Sequence, residues 1–159
     1  MTAIWQDWLE RHLRADNIAG MKTPKPAKPF VYPEIQNNAA MAARVEEGVP
    51  VNDLVEFGRQ AGFTVDELAR LIHIPPRTYA RRVAGKSRLK IPEGERAVRL
   101  MRVYDSAKRL FVTHDNTRQW LNSELPALGG RTPLDFARTE QGAREVEDLV
   151  GRIEDGIVS

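Results

Sequence analysis

Three observations predict an all-α fold for this 159-residue chain. Apolar residues recur at the three-and-four spacing of helices, and Gly, Pro and Thr punctuate those runs at short intervals. No segment shows a convincing strand pattern. The first helix is expected over Thr2–Asn17, where Ile4, Trp5, Trp8, Leu9, His12 and Leu13 share one face. Two Trp so near a terminus need burial, against the body of the protein or against a second copy. MKTPKPAKPFVYP, residues 21–33, is a Pro/Lys linker whose prolines favour extended backbone. Residues 1–40 therefore form one expected unit, a candidate dimerisation arm.

A short helix over Asn37–Glu47 stops at Gly48, and another over Val51–Ala61 is closed by Gly62 as a C-cap. Thr64 with Glu67 is a capping-box pattern for the helix that follows. The next helix starts near Pro75-Pro76, where proline is tolerated in a first turn, and ends near Gly85. A long helix is expected from Pro92 to Phe111, carrying Val98, Met101, Val103 and Leu110, then a shorter one over Asp115–Ser123 with Trp120 and Leu121. PALGGRTP, residues 126–133, reads as a turn that ends in a Thr132 cap and a Pro133 first turn. The last helix, about Glu140–Asp155, places Val146, Leu149, Val150 and Ile153 at i, i+3, i+4 and i+7, with Glu145, Asp148 and Arg152 outward. The expected division is 1–40, 41–98 and 99–159.

Thr64–Lys90 has the layout of a helix-turn-helix, which presents its second helix to the DNA major groove. Ala69 is the small residue that lets the two helices cross closely, Leu68 and Ile72 face the core, Ile74 follows the turn, and Tyr79 is the core position of the second helix. The pattern departs from the common one twice. His73 occupies the turn position usually given to Gly, so a left-handed backbone is expected at a residue that adopts it at a cost. Arg82 occupies a late position that is often apolar. Pro76, Arg77, Thr78, Arg81 and Arg82 are the candidate exposed face of the recognition helix. Arg suits bidentate contacts to guanine, and Thr suits a thymine methyl. Lys86, Arg88 and Lys90 are candidate phosphate contacts, which set affinity more than sequence choice. A single such motif generally works as a dimer that reads two half-sites, so a homodimer on operator DNA is expected.

Charge supports two surfaces. Net charge is only +2, but Arg77–Arg102 holds nine basic residues against two acids, and Asp115–Ser159 holds nine acids against five bases. A basic block beside an acidic one points to different partners, although two solvated helix faces would give the same count. No apolar run approaches the ~20 residues of a membrane span, and the N-terminus lacks the apolar block of a secretory leader. Cysteine is absent, which excludes thiol chemistry and fits a reducing cytoplasm. No enzyme, metal or cofactor is expected. His12, His73 and His114 lie on separate segments, Gly129-Gly130 lacks the Lys-Ser or Lys-Thr of a phosphate loop, and Ser87, Ser106 and Ser123 have no activating motif. The Glu147-Asp148 pair reads as solvated.

Thr117–Ile157, TRQWLNSELPALGGRTPLDFARTEQGAREVEDLVGRIEDGI, resembles the toxin-binding domain of the Xre/MbcA/ParS antitoxin family. The resemblance rests on the order of Trp120-Leu121, Pro126, Leu128, Gly129-Gly130, Thr132-Pro133-Leu134, Gly142 and the terminal amphipathic helix. With the helix-turn-helix before it, the chain from about residue 50 is similar to an Xre-type antitoxin of a RES–Xre module. The resemblance implies an antitoxin that binds and inhibits a RES-type toxin that degrades NAD, by covering its active-site cleft, and that represses its own operon. Most of the motif residues suit core and turn formation. The candidate toxin contacts are instead exposed groups of the last helix and tail: Arg144, Asp148, Arg152, Glu154, Ile157 and Val158. The alternative is a stand-alone dimeric regulator whose C-terminal domain serves dimerisation or another ligand.

Overall fold

The computed structural model describes residues 38–156. The expected Thr2–Asn17 helix, the Pro/Lys linker and the tail residues Ile157 and Val158 lie outside the described residues. Within them the chain forms eight α-helices: α1 (Asn38–Glu46), α2 (Val51–Ala61), α3 (Val65–Leu71), α4 (Pro76–Ala84), α5 (Ile91–Lys108), α6 (His114–Leu121), α7 (Pro133–Phe136) and α8 (Glu140–Glu154). A short 3-10 turn, Pro126–Leu128, precedes α7. No strand occurs among the described residues; two isolated β-bridges join Pro50 to Arg88 and Leu125 to Arg131.

The helix starts follow from short polar side chains. The Thr64 hydroxyl accepts from the Glu67 N–H at 3.2 Å, and the Glu67 carboxylate accepts from the Thr64 N–H at 2.7 Å, which completes the expected capping box. The hydroxyls of Thr113, Thr132 and Thr139 cap α6, α7 and α8 by accepting one backbone N–H each, without the reciprocal carboxylate. The long helix is shorter than expected. It stops at Lys108, and i→i+3 bonds turn the chain through Arg109, Leu110 and Phe111 so that Phe111 is buried beside Trp120.

One hydrophobic cluster runs through all of these helices, from Met41 to Val150. The long helix α5 is its spine and packs against α1, α3, α6 and α8. Because α5 covers residues on both sides of position 98, the core passes without a break from the motif to the C-terminal helices. Arg118 of α6 adds a polar tie across the same seam: it pairs with Glu67 of α3 at 3.3 Å and lies over the Phe63 ring, 5.2 Å from its centroid.

Candidate functional site

The helix-turn-helix core is assembled as its residue types require. Ala69 and Tyr79 are fully buried, with Leu68, Ile72 and Ile74 around them. The turn closes α3 with paired bonds, His73 N–H to the Arg70 carbonyl at 3.1 Å and Ile74 N–H to the Ala69 carbonyl at 2.9 Å. That is a Schellman closure, and His73 takes the left-handed conformation it demands, φ 56°. A second closure of the same kind ends α4, with Lys86 N–H on Val83, Ser87 N–H on Arg82, and Lys86 at φ 48°. The helix ends at Ala84 with Gly85 as its C-cap, as expected. Gly85 stays right-handed, and Lys86 carries the reversal.

The proposed DNA residues divide into two groups. Pro76, Arg77, Arg81, Lys86 and Lys90 are exposed, and Thr78 is half-buried. Arg77 and Arg81, one helical turn apart, share a face of α4. Neither they nor Lys86 or Lys90 make a side-chain hydrogen bond or ion pair among the described residues. Arg82 is engaged inside the protein, and Arg88 is exposed but bonded to backbone. The Arg82 side chain is only 13% exposed and pairs with Glu93, which also accepts from the Lys90 N–H at 2.7 Å at the start of α5. Burial would raise the Glu93 carboxyl, but Arg82 and the Lys90 N–H outweigh it and hold it below the ordinary range. Arg82 occupies its apolar-type position because its charge is neutralised there. Arg88 donates to the carbonyls of Gly48 at 2.5 Å and Glu47 at 3.4 Å, beyond the end of α1.

In the C-terminal part, Trp120, Leu121, Leu128, Val146, Leu149 and Val150 are buried. Gly129 and Gly130 both have left-handed backbone, φ 67° and 79°, with open space where a Cβ would stand, so conformation and not crowding explains them. Gly142 has the opposite reason, since a Cβ there would land on the Phe136 carbonyl oxygen. On the outward face of α8, Arg144, Glu145, Asp148 and Arg152 are exposed, as is Glu154. Arg144 reaches Glu140 at 3.4 Å, Arg152 reaches Glu145 at 3.1 Å, and Arg109 reaches Glu154 at 3.4 Å. These are surface pairs of little net strength, open to exchange with a partner.

The acidic and basic blocks also meet each other. Arg102 of α5 bonds Glu147 at 2.5 Å and Glu140 at 2.8 Å, and Arg99 bonds Glu140 at 3.3 Å. Glu147 is therefore not solvated as its pair with Asp148 suggested; it is half-buried against Arg102, and only Asp148 is exposed. Burial would raise the Glu140 carboxyl, but Arg102, Arg99 and Arg144 together hold it low. Part of the charge asymmetry of the sequence is thus spent between α5 and α8.

Among the described residues no group of His, Asp and Glu is placed to hold a metal ion, and no helix is long and apolar enough to cross a membrane. Residues 40–102 match the family described as the antitoxin Xre-like helix-turn-helix domain, and residues 106–156 match the antitoxin Xre/MbcA/ParS C-terminal toxin-binding domain. The chain is 37% identical over 118 residues to Antitoxin Xre of Photorhabdus laumondii, which covers 74% of this chain and 80% of that protein. It belongs to the Xre family of antitoxins. Antitoxin Xre of Yersinia enterocolitica is 38% identical over 116 residues, with 72% and 78% covered, and that of Pseudomonas putida is 25% identical over 124 residues, with 78% and 77% covered.

The antitoxin joins a helix-turn-helix to a toxin-binding domain through the shared helix α5. Sequence reasoning missed the residues that join them: Arg99, Arg102 and Arg118 read only as members of charge blocks. Their spacing from Glu67, Glu140 and Glu147, tens of residues along the chain, carries no local signal.

Proposed function

We propose that this antitoxin binds and inhibits a cognate RES-type, NAD-degrading toxin by covering its active-site cleft, and represses its own operon as a homodimer in the cytoplasm. Residues 1–40 would be the dimerisation arm, 41–98 the operator-binding part and 99–159 the toxin-binding part. The observation that carries the reading is the coexistence in one chain of two exposed, unneutralised arginines on the recognition helix, Arg77 and Arg81, with a matched toxin-binding domain. The toxin contacts would come from Arg144, Asp148, Arg152 and Glu154 of α8, with Ile157 and Val158 beyond it. Thr78, Lys86 and Lys90 would complete the DNA face. Pro76 would set the entry of the recognition helix, and Arg82 and Arg88 would support that face.

The test pairs this chain with the product of the adjacent gene. Expressed alone, the neighbour should arrest growth and deplete NAD; co-expression should restore both and yield a co-purifying complex. A well-expressed neighbour that neither harms cells nor binds would favour a stand-alone regulator. Surface variants separate the two activities without touching the core. Arg77→Ala with Arg81→Ala should weaken operator binding by about 1–3 kcal/mol per lost base contact and lower the salt slope, with protection from the toxin intact. Asp148→Lys with Arg144→Glu should do the reverse. Deleting residues 140–159 is a poorer probe, because it strips Val146, Leu149 and Val150 from the core.

A further inference from the structure

A cleft between α3 and α7, floored by α5, gathers cations that belong to neither proposed contact set. Its volume is about 390 Å³, within the ~300–1,000 Å³ range of small-ligand sites. Arg70 and His73 line it from α3 and its turn, Arg96 and Arg99 from α5, and Arg138 from the residues after α7. Two carboxylates line the same cleft. Glu67 bonds Thr64 and Arg118 and also lies in the field of Arg70, and the Asp135 side chain has no hydrogen bond or ion pair among the described residues. Arg96 donates to the Ile72 carbonyl at 3.0 Å, and Arg99 to the Arg138 carbonyl at 3.0 Å and to Glu140. Arg70 and Arg138 make no side-chain hydrogen bond or ion pair among the described residues.

Four arginines face two carboxylates in the lining, and Arg99 is offset by Glu140, so the cleft keeps an excess of positive charge that an anion would relieve. Burial lowers the pKa of His73, and Arg138 and Arg96 lower it further, so the imidazole adds a neutral donor or acceptor and no further charge. His73, at the left-handed position that closes α3, also borders the cleft. Phe63, Leu100 and Leu134 supply an apolar wall, and Asn122 and Asp135 supply acceptors for hydroxyl groups.

The geometry points to a binding site for a compact organic phosphate such as a nucleoside monophosphate, with its phosphate between Arg70 and Arg138 and its body against the apolar wall. Guanidinium groups suit phosphate because their paired N–H donors match two of its oxygens. The site lies on the seam between the two domains, apart from Arg77 and Arg81 and from the outward face of α8, and does not depend on the identity of the toxin.

The experiment is a titration of the full chain with AMP and with inorganic phosphate, followed by amide NMR spectra and thermal midpoint. Saturable shifts at millimolar concentration should map to Arg70, His73, Arg99 and Arg138, with AMP tighter than phosphate and the midpoint raised. Arg70→Ala and Arg138→Ala alter exposed side chains; each should weaken AMP binding about ten-fold or more, with the circular dichroism spectrum unchanged. The proposal is overturned by the absence of saturable change, by equal affinity in both variants, or by shifts confined to Arg77, Arg81 and Lys86, which would mean that the anion imitates DNA phosphate.

Discussion

At the scale of single residues, both helices of the DNA motif end in left-handed residues that are not glycine. His73 and Lys86 each hold the C′ position of a Schellman closure, where an L side chain crowds its own backbone. His73→Gly and Lys86→Gly should therefore each gain up to about 1 kcal/mol in urea unfolding, partly offset by the freer unfolded chain. A loss of stability would show that these side chains make contacts worth more than the strain. Tyr79 offers a second residue-level test. Its ring is fully buried in the motif and its hydroxyl has no partner among the described residues. Tyr79→Phe should leave stability unchanged or raise it by about 1 kcal/mol, because a buried hydroxyl without a bond costs more than it returns. Burial also pushes the Tyr79 hydroxyl up to about 12. The folded state favours the protonated phenol, so this contribution is intact below pH ~10 and is lost as pH rises towards 12. The alkaline fall in stability should be shallower in Tyr79→Phe, and Tyr104, whose hydroxyl is likewise pushed up to about 12, chiefly by burial, should contribute in the same sense.

At the scale of elements, the decisive contacts are those that set α8 on the rest of the molecule. Its first turn rests directly on the end of α7, where Gly142 leaves no room for a Cβ against the Phe136 carbonyl oxygen. Gly142→Ala should cost about 1–3 kcal/mol despite its better helix propensity, because backbone cannot move aside as a side chain can. A neutral result in chemical denaturation would mean that α7 shifts freely. The flanks of α8 are held by Arg102 and Arg99 of α5 through Glu140 and Glu147. These pairs orient the helix, and with it the outward row of Arg144, Asp148 and Arg152, more than they stabilise it, since partly exposed ion pairs return little.

For the whole molecule, the continuity of the core is the dominant fact. The same cluster includes Tyr79 of the recognition helix and Val150 of α8, and α5 contributes buried residues along its length to both ends. Heating the chain should therefore give one cooperative transition for the described region, with calorimetric and van't Hoff enthalpies in agreement. Two separable transitions, one for each family-matched segment, would show that the seam through Arg118, Glu67 and α5 is weaker than its packing indicates.

Local signals were sufficient for much of this. Thr64 with Glu67, Thr132 with Pro133, Gly62 after Ala61 and the Val146–Val150 spacing each act within a few residues, so helix starts, stops and buried faces were legible in the sequence. The left-handed turn at His73 was legible too, because the motif demands it of whichever residue stands there. What the tertiary structure alone decided is which charges are available. Arg77, Arg81, Arg82 and Arg88 look alike in the chain, yet Arg82 is paired with Glu93, Arg88 is exposed but tied to the carbonyls at the end of α1, and Glu147 leaves Asp148 alone at the surface. Composition and helical spacing determined how many charges each segment carries and which helix bears them. Only the packing of distant segments determined which had already found a partner, because an ion pair depends on separation in space, and separation along the chain does not encode it.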